Sequence, residues 1–173
     1  MFAFKKSLLA TLFIAGIASA SLANASSTAT LVWNGVVPGS TAGDDLIITG
    51  IGGSLTAHSG SLTAKEDGTF ISDEIVLEAH ENTGDASAPV IGDLAAASWT
   101  LSNASLTYDN VNVDTATLAV VVNGSTLAVG EGVGGSTGLE TITTSVKQTT
   151  SLEPSLVAET AAQVSVTFIA DAI

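Results

Sequence analysis

The sequence predicts an all-β fold. Its body is dominated by Thr, Ser, Val, Ala and Gly, apolar residues alternate over short runs, and turn residues recur about every ten residues. No helical period lies between these runs, so a β-sandwich is the expected architecture. The chain has no cysteine, and its core must therefore hold by burial and backbone pairing. No internal repeat is present.

Lys5 and Lys6, an apolar run over residues 8–17 and the small residues Ala23-Asn24-Ala25 have the layout of a secretory signal peptide. The apolar run falls short of the roughly 20 residues that span a bilayer, and no later segment is long enough to do so. Cleavage is expected after Ala25, with Ala20 as the alternative. The first cut leaves 148 residues, a length suited to one domain with a single core. Residues 26–38 read as an extension and residues 39–173 as the body.

Runs rich in β-branched and small residues, bounded by Gly, Asn, Asp or Pro, place strands at 28–37, 46–51, 54–64, 69–79, 98–101, 104–108, 116–122, 126–129, 141–147 and 163–170. Asn123-Gly124 between two apolar runs suits the positive φ angles of a two-residue hairpin turn. Residues 130–138 are too rich in glycine for a strand interior and read as a loop. Residues 81–89 and 153–159 read as connections, and the second could hold one helical turn. Trp99 and Tyr108 alternate with Leu101 and Leu106, which favours core packing over an exposed sugar platform.

After removal of residues 1–25, Lys65 and Lys147 face 17 carboxylates, a formal charge of minus 15. Such a chain has no basic surface for nucleic acid, and anionic membranes are disfavoured on the same ground. At most two lysine ion pairs can form, so salt bridges contribute little.

Chemistry-bearing residues are sparse. His58 and His80, with Glu78 two residues from His80 on one strand face, fall short of the three or four convergent ligands of a zinc site and read as surface histidines. Residues 109–114 concentrate oxygen ligands but lack the register of a calcium loop, and read as a polar connection. Glu66-Asp67 and Asp73-Glu74 are adjacent residues, which point to opposite faces of a strand and suit solvated edge charge better than acid-base work. There is no Gly-x-Ser-x-Gly elbow and no phosphate cradle. Asn103 and Asn123 head short glycosylation patterns that recur by chance. No enzyme, cofactor or metal is expected.

The most informative segment is 28–38, Thr-Ala-Thr-Leu-Val-Trp-Asn-Gly-Val-Val-Pro, in which Ala29, Leu31, Trp33, Gly35 and Val37 fall on one face of an extended chain. It resembles the N-terminal extension of a chaperone-usher fimbrial subunit, and residues 164–169, Val-Ser-Val-Thr-Phe-Ile, resemble the closing strand of such pilins. The signal peptide and the small acidic all-β body are similar to that family as well. The chain departs from the common pattern in lacking the disulfide and the penultimate tyrosine. The resemblance implies an immunoglobulin-like β-sandwich, incomplete until a donor strand from a neighbouring subunit fills it. Ala29, Leu31, Trp33, Gly35 and Val37 would form the donor strand, and Val164, Val166 and Phe168 would line part of the acceptor groove. It further implies a periplasmic chaperone, an outer-membrane usher and copies of the chain as partners, in a surface fimbria of a Gram-negative envelope that supports adhesion or biofilm formation. Alternation alone fits equally an ordinary first strand paired within its own domain. A secreted β-sandwich that binds carbohydrate or protein is the alternative function.

Overall fold

The computed structural model describes residues 27–33, 42–56, 58–109, 111–113, 117–157 and 160–173. In chain order the strands are β1 (Ser27–Trp33), β2 (Leu46–Gly50), β3 (Ser59–Gly60), β4 (Phe70–Ile71), β5 (Ile75–Asn82), β6 (Ile91–Leu94), β7 (Ala97–Tyr108), β8 (Val111–Val113), β9 (Leu118–Val122), β10 (Ser125–Leu127), β11 (Gly132–Val133), β12 (Thr141–Gln148) and β13 (Ala162–Ala172). One helical turn, α1 (Pro154–Val157), lies in the connection where a turn was expected. The signal segment 1–25, Gly35 and Val37 lie outside the described residues.

The all-β expectation holds: the strands form two sheets. One runs β11-β7-β13-β1-β3, with β8 also on β7. The other runs β10-β9-β12-β5-β2, with β4 on β12 and β6 on β5. The ladders are antiparallel, apart from a two-residue parallel pairing of β1 with β3.

The period-two pattern explains the layering. Along β12 and β13 every second residue is buried, and the apolar ones among these join side chains of β2, β5, β7 and β9 in one cluster. Trp99, Tyr108 and Phe168 are its largest members, each stabilising the fold by roughly 1.5–3 kcal/mol through burial. The two polar tips are satisfied: Trp99 Nε1 donates to Leu139 O at 2.8 Å and Tyr108 Oη donates to Gly68 O at 2.8 Å. Core packing of both aromatics is thus as the alternation anticipated.

The Asn123-Gly124 hairpin forms as expected, with φ of 48° and 81° and Val122 paired to Ser125. Asn123 Oδ1 also accepts from Thr143 N at 2.9 Å, fixing the turn to the next strand.

Four expectations need correction. Among the described residues of 54–64 only the two-residue β3 and isolated bridges form, where Ser54 turns back to pair with Gly50 and its hydroxyl bonds Thr56; such local side-chain bonds compete with a ladder. The run 69–79 breaks between β4 and β5, where Ser72 Oγ takes the Val146 N–H at 2.9 Å and Asp73 N turns to Ser61 O. The runs 98–101 and 104–108 are one strand, β7, continuous through Ser102 and Asn103 by a bulge opposite Thr167 and Phe168. The glycine loop contains β11 on Trp99 and Thr100; a Cβ on Gly132 would stand 2.9 Å from Trp99 O, so this close approach needs glycine.

Candidate functional site

β13 lies inside its sheet, and both of its edges are engaged. One edge runs along the whole of β7. The other carries β1 over seven residue pairs, from Ser27 opposite Ala170 to Trp33 opposite Val164. Val164, Val166 and Phe168 are fully buried on the core side of β13.

The register sets Ala29 opposite Phe168, Leu31 opposite Val166 and Trp33 opposite Val164. Three of the five proposed donor positions thus meet the three proposed groove positions, within one chain. On its far side β1 runs parallel to β3, with Val32 opposite Ser59 and Trp33 opposite Gly60. β1 therefore occupies a slot between β13 and β3. Withdrawing it would leave the β13 edge unpaired along Val164–Ala170. The β3 wall was not singled out from sequence, since Ser59 and Gly60 sit within an unexceptional Ser/Thr/Gly stretch.

The two ends of this slot differ. At one end Trp33 pairs with Val164, close to Ala162, which pairs with Tyr108. Tyr108, Gly68, Asp67 and Ser151 gather there through hydrogen bonds, and α1 follows. At the other end Leu46, Glu81, Leu94, Ala172 and Ile173 line a common cleft, and Gly43 O accepts from Asn82 Nδ2 at 2.8 Å.

Two shallow clefts mark the Tyr108 end. One, about 470 Å³, is lined by Lys65, Asp67, Phe70, Ile71 and Gln148 among others; the second, about 600 Å³, includes Thr117, Thr150 and Leu156. Gln148 lies between them, its Nε2 donating to Thr117 Oγ1 at 2.6 Å and Thr150 O at 2.8 Å. Its Oε1 is buried with no hydrogen-bond partner among the described residues.

Glu78 and His80 meet on the second sheet, with His80 Nε2 at 3.2 Å from Glu78 Oε2 and His80 Nδ1 at 3.0 Å from Gly92 O. Burial pushes the Glu78 carboxyl up. Hydrogen bonds from His80 and the N–H groups of Gly52 and Gly53 outweigh it, leaving the group below its usual range. The two histidines are not surface residues as expected: His58 is 9 % and His80 8 % exposed. His58 packs against Gly50, and burial lowers its imidazole below the ordinary value. Among the described residues no three His, Cys, Asp or Glu side chains converge as metal ligands.

Of the adjacent carboxylates, Asp67 serves a turn. Asp67 accepts from the Thr69 hydroxyl and N–H and from the Ser151 hydroxyl, which hold it below its usual range. In the polar connection 109–114, Asp109 Oδ1 accepts from Ala161 N at 2.9 Å, and β8 folds back on β7; Asn110 and Asp114 lie outside the described residues. No helix among the described residues is long and apolar enough to cross a membrane, which leaves β-barrel insertion untouched.

No family model, no curated protein and no solved structure matches the chain.

Proposed function

We propose that this chain is a structural pilin that polymerises by lending its first strand to a neighbouring copy. The observation that carries the reading is the register of β1 in its slot, with Ala29, Leu31 and Trp33 opposite Phe168, Val166 and Val164. A strand held between two others, tethered by one segment and standing first after the expected cleavage site, can leave without unthreading the rest of the chain. Its departure bares a hydrophobic groove and unpaired backbone, which a strand from another copy restores. In this reading the two sheets are an immunoglobulin-like sandwich, and self-insertion of β1 is the unpolymerised state.

Export by the signal peptide, holding by a periplasmic chaperone and assembly at an outer-membrane usher complete the pathway. The product is a surface fimbria that supports adhesion or biofilm formation. In this reading the chain is not an enzyme: buried His80 and half-buried Glu78 bond each other, and exposed Asp67 is held by Thr69.

Uptake of a labelled peptide tests the reading. The mature chain, incubated with excess peptide of residues 26–37, should exchange its own β1 for the peptide, and a peptide carrying Leu31→Asp should fail to enter. Absence of uptake near the melting temperature would sink strand lending. The intramolecular pairing of β1 with β13, taken as permanent, would then favour the alternative, a secreted β-sandwich that binds carbohydrate or protein through its loops.

A further inference from the structure

Leu77 and Ala79 of β5 point into the core cluster, so Glu78 and His80 share the opposite face of that strand. Both are largely enclosed there, with side chains 12 % and 10 % exposed, beside the buried Thr49 and Ile47 of β2. We infer that this pair is a pH-sensitive latch: one proton held between the two side chains pins the turn 50–54 and β6 to β5, and loss of that proton, or gain of a second, releases them.

The hydrogen-bonding capacities of the atoms lead to this. Gly92 O can only accept, so His80 Nδ1, 3.0 Å away, donates to it. His80 Nε2 faces Glu78 Oε2 at 3.2 Å, and Oε2 also accepts from Gly53 N at 3.2 Å. With Nδ1 already donating, a neutral ring would turn the lone pair of Nε2 towards a carboxylate oxygen. The contact closes when a proton lies between the two atoms, which sets an imidazolium against a carboxylate.

Each partner of the pair belongs to a different element. Gly53 lies in the turn after β2, where Gly50 and Ser54 exchange backbone hydrogen bonds, and its N–H is shared with Gly50 O. Gly92 lies in β6, where the β5–β6 register shifts between His80 and Asn82, and the imidazole supplies a donor within that irregularity. A Cβ on Gly53 would stand 3.8 Å from Ile91, so the turn and β6 also come together beside the pair.

Removing the shared proton leaves two acceptors face to face, and the pair parts. Adding a proton to Glu78 instead removes the negative charge that the ring and the Gly53 N–H bind. The other titratable groups on the surrounding elements are His58, packed on Gly50, and the exposed Asp45, Glu81, Asp93 and Glu140. Solvent screens those four carboxylates, so the response belongs to the enclosed pair.

Nuclear magnetic resonance of the mature chain reads the latch directly. At the pH where the Gly53 amide is best protected from exchange, both ring nitrogens of His80 should carry protons. On either side of that pH the Gly53 resonance should move with the pair, and its protection should fall roughly tenfold as a charge-assisted bond is lost. His80→Gln, whose amide still donates to Glu78, should lose the alkaline limb and keep the acid one, whereas Glu78→Gln should lose the acid limb. His58→Gln should keep both. An alkaline limb that persists in His80→Gln, or disappears in His58→Gln, would overturn the latch. Should either variant of the pair fail to fold, the wild-type ring decides: a His80 protonated on Nδ1 alone while Gly53 is protected contradicts the shared proton.

Discussion

At His58, burial favours the neutral imidazole, so folding resists protonation where the unfolded histidine begins to charge. Stability from this group is therefore full above the unfolded value, about 6.5, and is lost as pH falls through the lower folded value. Glu78 acts in the same direction lower on the scale, because its folded carboxyl titrates below the unfolded one, about 4.3. Its contribution is complete above that value and disappears as pH drops through the folded one. Melting temperatures measured from pH 8 to pH 3 should therefore fall in two stages. His58→Gln should flatten the first stage and Glu78→Gln the second; retention of both slopes in the variants would mean that other groups carry the dependence. Gly50 supports the same region, since a Cβ there would stand 2.8 Å from the His58 ring.

Among the elements, the Asn123-Gly124 hairpin gives the sharpest local test. Gly124 has φ of 81°, where a β-branched residue is strained by roughly 1–3 kcal/mol. Gly124→Val should lower the urea midpoint without altering the denaturant slope; an unchanged midpoint would mean that the turn re-forms in another geometry. This element was legible from sequence because Asn-Gly between apolar runs carries its own backbone preference. β12 and β13 were legible for a similar reason, their strict alternation matching one buried face. The failures share a different cause. β7 was divided at Ser102 and Asn103, although pairing with β13 carries the strand across them. The 69–79 run was joined across Ser72, although that hydroxyl takes the place of a ladder partner. Both outcomes depend on a partner distant in sequence, which local propensity does not register.

Across the whole molecule, the candidate site was half legible. Alternation singles out Ala29, Leu31 and Trp33, the resemblance to pilins implies Val164, Val166 and Phe168, and the fold pairs these positions one to one. The opposite wall, Ser59 and Gly60 of β3, was not legible, because its two residues acquire meaning only from their parallel pairing with β1. Nor does a period-two pattern say whether its strand stays in its own chain. The antiparallel arrangement of Ser27 beside Ala170 supplies a means to decide, since a short linker from Ile173 to Ser26 would turn β13 and β1 into one hairpin.

The most direct test compares the size and thermal unfolding of two forms, the native-order mature chain and a rearranged chain running from Gly39 to Ile173, through a short flexible linker, into residues 26–37. Strand lending predicts that the native-order chain polymerises on prolonged incubation while the rearranged chain stays monomeric and melts at a much higher temperature. A native-order chain that remains a stable monomer, with the rearranged form no more stable, would contradict it and make β1 a permanent part of its own sheet.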